Sequence, residues 1–108
     1  MNNFWQEINR PAFSLAPMED VTDTAFREIV LRMAAPEKLH VVMTEFTSVE
    51  GMNHLKGRER VSERLIVNDS ERDLLKAKGV KLVAQTWGIN PEVYNKIARY
   101  ITENYRFD

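Results

Sequence analysis

Between Phe13 and Arg27 the chain passes from a short apolar run, through a proline-marked exit, into an acidic and hydroxyl-bearing turn, and then into a helical pattern. A strand that feeds directly into a helix is the building unit of parallel α/β proteins, which place their ligand sites at such junctions. Phe13 to Met18 is mostly apolar, which predicts a strand covered on both faces. Pro11 is tolerated at its start, and Pro17 ends regular pairing. In the helix that follows, Ala25, Phe26, Ile29, Val30 and Met33 are expected to face inward, with Arg27, Glu28 and Arg32 facing away. Thr22 or Asp20 is expected to cap it, Asp23 suits the positive end of its dipole, and Pro36 stops it.

The same alternation recurs. His40 to Phe46 is a second strand candidate, with Val41, Val42 and Met43 as a continuous apolar run. Ser48 to Lys56 suggests a short helix ending near Gly57. Residues 57–64 alternate Arg and Glu and read as a solvated face. Leu65-Ile66-Val67 is expected as a brief extra strand. Asp69 or Ser70 is expected to cap a helix running to about Lys78, with Gly79 in the left-handed position after it. Lys81 to Thr86 is the third strand. Asn90-Pro91-Glu92 is a helix start, with Val93, Tyr94, Ile97, Ala98 and Ile101 inward and Tyr105 extending that face. Phe107 and Asp108 read as the approach to another strand. The order predicts an α/β fold with parallel strands and right-handed crossovers. Its 108 residues allow one modest domain or a piece of a larger one.

Hydrophobic residues make up 44% and charged residues 29%, the balance of a globular protein, and the net charge of −1 carries no basic excess of the kind that marks nucleic-acid binders. There is no cysteine, so no disulfide, thiolate metal site or thiol catalyst arises from this chain. No run approaches the roughly 18 apolar residues of a membrane span, and a cytoplasmic protein is the default expectation. His40 and His54 lack zinc-motif spacing, so no metal site is expected, and no glycine-rich phosphate loop occurs.

Each strand ends in residues suited to a small-molecule site. Pro17-Met18 offers backbone groups and a thioether that can lie against a flat aromatic ring, or is an ordinary turn with a core methionine. Glu45 can be a general base, an acceptor for a ligand, or the partner of a nearby arginine. Gln85 carries both a donor and an acceptor, so it can read a ring edge that presents both, or tie down a loop.

Taken together, Leu15-Ala16-Pro17-Met18-Glu19-Asp20-Val21-Thr22-Asp23 with Phe26-Arg27, Thr44-Glu45-Phe46, and Val83-Ala84-Gln85 with Gly88 resemble the tRNA-dihydrouridine synthases, over residues 11 to about 105. The resemblance implies a flavin enzyme on a (β/α)8 TIM barrel with an added helical RNA-binding domain, in which NADPH reduces FMN and the flavin reduces uridine in tRNA. It implies that Pro17, Met18, Glu19 and Gln85 bind FMN and that Glu45 supports the site. A complete barrel needs about 250 residues, so residues 1–108 are expected to be a partial barrel, the first three βα units. The family's catalytic cysteine and RNA-binding domain are then absent from this chain, which is expected to be inactive alone and to self-associate through open strand edges. The alternatives are another FMN barrel of the dihydroorotate dehydrogenase or ene-reductase type, and a non-catalytic α/β binding module.

Overall fold

In the computed structural model, which describes residues 4–8 and 11–105, short parallel strands alternate with helices. The elements in order are α1 (Phe4–Glu7), β1 (Ser14–Leu15), α2 (Thr24–Met33), β2 (Val41–Met43), β3 (Thr47–Ser48), α3 (Val49–Met52), α4 (Leu55–Ser62), α5 (Asp69–Lys78), β4 (Lys81–Val83), β5 (Thr86–Trp87) and α6 (Pro91–Asn104). The main sheet has the order β1-β2-β4, all parallel, with Leu15 opposite Val42 and Val42 opposite Leu82. The parallel α/β class read from the alternation is therefore present. The expectation for Phe107 and Asp108 lies outside the described residues.

The strands are shorter than the apolar runs suggested, and the cause lies in the backbone. After Met43 pairs with Val83, the next paired residues are Thr47 and Thr86. Three residues (44–46) therefore stand against two (84–85), which is the count of a β-bulge. The bulge interrupts the ladder, so β3, which lies just beyond the expected end of the second strand at Phe46, pairs with β5 as a separate parallel ladder. The coverage expected for the first strand is not found, since Phe13 and Ser14 are exposed. Val41 and Val42 in the central strand are fully buried, as their apolar run requires.

Two apolar clusters hold the layers together. Leu31, Leu39, Val42, Leu75 and Val80 pack α2 and α5 onto one face of the sheet, and Val49, Met52, Leu65, Ile97 and Ile101 pack α3 against α6. The inward face of α2 is not the expected one. Leu31 is fully buried, while Ile29 and Met33 are 56% and 82% exposed. Arg27, expected to face away, is fully buried. The reason is its partner. Arg27 Nε and Nη2 donate to the two carboxylate oxygens of Glu71 at 2.7 and 2.9 Å, and Glu71 is itself fully buried. Nη1 reaches the carbonyl of Thr22 and Nη2 that of Ile66, both at 3.0 Å. Thr24 Oγ1 adds a 2.6 Å bond to Glu71. A charge can be taken out of water only when paired and hydrogen-bonded in this manner.

The far ends of the same helices are joined as well. Lys78, in the last turn of α5, donates to the carbonyls of Leu31 and Ala34 at the end of α2. Those carbonyls have no partners within the helix, and a cation there complements the dipole. The two helices thus run parallel, clamped by Arg27–Glu71 at one end and by Lys78 at the other.

Other local expectations shift by small amounts. Asp23, not Thr22 or Asp20, caps α2 by accepting from Phe26 N at 2.8 Å. Asn68 stands at the start of α5, so Asp69 is its first helical residue and neither it nor Ser70 is the cap. Gly79 adopts the left-handed conformation (φ 66°) and Asn90 caps α6, both as expected. The helix expected from Ser48 to Lys56 is two helices broken at Asn53–His54, and Gly57 lies inside the second. A Cβ at Gly57 would stand 2.8 Å from the Gly51 carbonyl oxygen, so the glycine permits the close crossing of α3 and α4 rather than ending a helix. Leu65-Ile66-Val67 is not a strand. Leu65 closes a 3-10 turn and enters the second core.

Removing one member of a buried pair leaves the other charge uncompensated, which costs about 3–5 kcal/mol. Arg27→Ala and Glu71→Ala are each expected to lower unfolding free energy by about that amount, whereas Glu28→Ala, which removes a part-buried carboxylate that pairs with the largely exposed Arg32 and bonds Ser70, is expected to cost about a third of it at most. Urea titration followed by far-UV circular dichroism measures all three, and equal losses at Glu28 and Glu71 would contradict the ranking.

Candidate functional site

The carboxyl ends of β1, β2 and β4 lie side by side, because the three strands are parallel and adjacent. Three short loops leave from that edge, and each carries one of the residues marked out by the sequence.

The loop after β1 is built around Thr22. Its Oγ1 accepts from Met18 N at 2.8 Å and donates to the Ala16 carbonyl, while Thr22 N and Val21 N both bond to the Met18 carbonyl at 2.9 and 3.1 Å. Asp20 takes a positive φ of 60°, which a short polar residue tolerates in a tight turn. Arg27 then holds the Thr22 carbonyl from below. The turn therefore presents Pro17 half-buried and Met18 39% exposed, on a backbone fixed at both ends. Met18 is thus not a core residue. Glu19 points outward and pairs with Arg64 at 3.0 Å.

The loop after β2 is the bulge. Thr44 is fully buried, and its Oγ1 accepts from Gln85 N at 3.0 Å and donates to the Glu45 carbonyl at 3.1 Å. A side chain thereby replaces a rung of the backbone ladder. Glu45 is only 7% exposed, and its carboxylate makes no hydrogen bond among the described residues. The arginine partner that the sequence left open as one reading is not found among the described residues. Arg64 instead bonds Glu19 and the Phe46 carbonyl. Glu45 lines a cleft of about 400 Å³ with Asp20, Asp23, Arg60, Glu63 and Arg64.

At the end of β4, Gln85 is held through its backbone, by Thr44 Oγ1 at its N–H and Thr47 N at its carbonyl. Its side-chain amide rests on the Met43 sulfur at 3.0 Å, and its Oε1 has no partner among the described residues. A thioether is a weak acceptor. The amide is thus positioned rather than satisfied.

The structure brings Glu45, Arg60 and Arg64 to one cleft and joins Glu19 to it through Arg64. Gln85 belongs to the neighbouring strand end and does not line that cleft. Residues 57–64, expected as a solvated face, place Arg60, Glu63 and Arg64 in this cleft. Arg60 near the end of α4 and Arg64 in the 3-10 turn that follows it, spaced i,i+4, are the signal that could have placed this segment beside the strand ends. Thr44 enters the sequence reading only within the Thr44-Glu45-Phe46 motif, and its hydrogen bond to the Gln85 backbone is a finding of the structure. Among the described residues no group of three or more acidic, histidine or cysteine side chains is arranged to hold a metal ion. His40 Nδ1 accepts from Phe13 N at the opposite end of the strands.

Behind the site, Glu50 Oε1 accepts from Ile89 N at 2.9 Å and from Asn90 N at 3.3 Å, tying down the start of α6. A Cβ at Gly88 would fall 2.1 Å from Val49, so only glycine lets the loop come this close. The backbone bond from Ile89 holds the Glu50 carboxyl below its ordinary value of 4.5.

The fold and its strand ends define a parallel α/β protein with ligand-suited loops at the carboxyl edge of the sheet. Comparison with known proteins specifies it further. The chain is 41% identical over 96 residues to the probable tRNA-dihydrouridine synthase 2 of Bacillus subtilis (strain 168), covering 89% of this chain and 26% of that protein. It is 42% identical over 94 residues to the probable tRNA-dihydrouridine synthase of Staphylococcus aureus (strain COL), covering 87% and 25%. The Staphylococcus epidermidis protein of that name (strain RP62A) is 41% identical over 96 residues, again covering 89% and 26%. Over nearly nine tenths of its length the chain is therefore homologous to the tRNA-dihydrouridine synthases, and it spans about a quarter of the length of these curated relatives. No family model and no solved structure matches it. No described helix is long and apolar enough to cross a membrane.

A carboxyl with a depressed folded-state value contributes stability above its unfolded value and loses it as pH falls through the lower one. Glu50→Gln keeps an acceptor for Ile89 but cannot titrate. Its unfolding midpoint is expected to fall less steeply than that of the native chain as pH is lowered from about 6 to about 3. Parallel acid limbs in urea titrations at stepped pH would contradict this.

Proposed function

We propose that this chain forms the first three βα units of a (β/α)8 barrel of the tRNA-dihydrouridine synthase type, and that its strand ends make one wall of an FMN site. The observation that carries this reading is the placement of Pro17-Met18, Glu45 and Gln85 at three neighbouring parallel strand ends, in a chain homologous to proteins of that name. The residues fit such a group. A half-exposed thioether can lie against a flat ring. Among the described residues the side-chain oxygen of Gln85 has no partner and its N–H₂ rests on sulfur alone, the donor and acceptor needed to read a ring edge. Glu19, adjacent to Met18, belongs to the same wall, with Arg64 holding its carboxylate. Glu45 supports the site as a buried acceptor with its lone pairs uncommitted.

The chemistry FMN supplies when bound is hydride transfer, from NADPH to the C5=C6 bond of a uracil in tRNA. The part played by this chain is positional. Thr22 and Arg27 hold the Met18 turn, Thr44 holds the backbone of Gln85, and Met43 aims its amide. The cleft beside the site carries four carboxylates against two guanidiniums, a balance that repels phosphate. The grip on tRNA must then come from other parts of the protein, and the whole enzyme works among RNA in the cytoplasm. With no cysteine to act as the family's proton donor, the chain alone is not catalytic.

The 108-residue chain, supplied with FMN, NADPH and unmodified tRNA, is expected to form no dihydrouridine, and turnover by it would contradict this reading. In a full-length relative, replacing the glutamine that matches Gln85 by leucine is expected to weaken FMN binding by roughly 10- to 100-fold, the worth of one or two hydrogen bonds at a desolvated site. Quenching of flavin fluorescence on binding measures it, and an unchanged affinity would remove Gln85 from the site.

A further inference from the structure

The charged groups of the cleft beside the strand ends are unequally committed. Arg64 gives Nη1 to the Phe46 carbonyl and Nη2 to Glu19, and Asp23 caps α2. Glu45 and Arg60 are the opposite case. Glu45 is only 7% exposed, and neither of its carboxylate oxygens has a partner among the described residues. Arg60, exposed near the end of α4, has none among them either, so the two line one cleft without pairing. Burying an acceptor without a donor is costly, so an uncommitted buried carboxylate calls for an occupant that completes it.

The two free groups limit what that occupant is. It must present N–H donors to Glu45 and an acceptor to Arg60. A phosphate has no N–H donor and meets four carboxylates in the cleft. An ammonium or a guanidinium has donors but nothing for Arg60 to bond. A metal ion likewise offers Arg60 nothing, and it finds no set of three ligands among the described residues. A nucleobase offers both kinds of group. Guanine alone carries two adjacent donors, N1–H and N2–H₂, which match the two oxygens of one carboxylate, and its O6 and N7 are the acceptors that arginine reads. Adenine and cytosine set one exocyclic amine beside a ring nitrogen that repels a carboxylate. Uracil sets its single N3–H between two carbonyl oxygens. Bases splayed from a single strand of RNA are read on these edges.

Resting on the dihydrouridine synthase reading above, we propose that this cleft is a guanine subsite. Glu45 accepts from N1–H and N2–H₂ of a guanine in the RNA strand that carries the reacting uridine, and Arg60 donates to its O6 or N7. The cleft is bordered by the loops that leave β1 and β2 at the carboxyl edge of the sheet, so the guanine lies beside the wall formed by Met18 and Gln85. Arg64 ties the segment that bears Arg60 to both loops. Asp20 and Glu63, both exposed, keep backbone phosphates outside, so the base enters alone. Glu45 is then a specificity residue, which selects the sequence around the uridine.

The probes are the dinucleotides GpU and UpG, compared with the same pair carrying inosine or adenine in place of guanine. Each is titrated into the isotopically labelled 108-residue chain, with backbone amide and arginine Nε–H shifts followed by NMR. The expected result is 1:1 saturation by a guanine dinucleotide with a dissociation constant on the order of 1 mM, with shifts centred on Glu45, Phe46 and Arg60. Inosine lacks the N2 amine, and its dinucleotide is expected to bind about tenfold more weakly. Glu45→Gln replaces one acceptor by a donor and is expected to weaken guanine binding by about tenfold or more. The inosine comparison uses the native chain, so it decides the matter even where the variant fails to fold. Equal binding of the inosine or adenine forms, shifts centred elsewhere, unchanged affinity in a folded Glu45→Gln, or no shift at about 5 mM would each overturn the proposal. Tighter binding of argininamide at the same residues would make a guanidinium the occupant and overturn it as well. No flavin takes part in this titration. A full-length relative that forms dihydrouridine while guanine selectivity is absent would sink the subsite alone, whereas a relative that forms none would sink the reading of function.

Discussion

The bidentate pair of Arg27 and Glu71 is the interaction on which the rest depends. It joins α2 to α5 across 44 residues of sequence, and the same guanidinium holds the Thr22 and Ile66 carbonyls. One arginine therefore fixes the helix pair, the end of the first strand's loop and the segment entering α5. A hydrophobic residue at that position could pack the helices but could not hold two carbonyls. The polar pair gives up stability relative to an apolar contact and provides a defined geometry for the loop above it.

From that anchor the order spreads toward the strand ends. Thr22 knots the Met18 turn, and Asp23 caps the helix that Arg27 occupies. The bulge at residues 44–46 does the corresponding work in the centre. By breaking the ladder, it buries Glu45 with free lone pairs and gives Gln85 a backbone rung made by Thr44. Bulges commonly re-aim side chains next to functional sites. Here the bulge places two residues of ordinary strand sequence at the carboxyl edge of the sheet.

The alternation of strands and helices was legible because apolar runs and cap residues report local preference. Asn90-Pro91 marked a helix start, and Gly79 marked a helix end. The homology was legible from the motif of the first loop, and the structure explains that motif physically: Thr22, Asp23 and Arg27 each make the contact that holds the turn. What could not be read was long-range. Arg27 looks like a solvent residue until Glu71 is known to face it. Arg60 and Arg64 look like a solvated helix until α4 is laid over the strand ends. The bulge is a matter of register between two strands, and register leaves no trace in either strand alone. The α2 face was misread for the same reason, since Ile29 and Met33 are apolar but point away from the α5 contact.

The central claim is that the buried pair holds the Met18 turn in place, beyond its share in global stability. Native-state amide exchange in the Arg27→Met variant tests it most directly, because methionine retains apolar volume but supplies no donors. Exchange at Thr22, whose amide bonds the Met18 carbonyl, is expected to accelerate by more than that at Val42 in the central strand. Equal acceleration at both positions, or an unchanged turn, would show that the loop stands without the latch and would contradict the account.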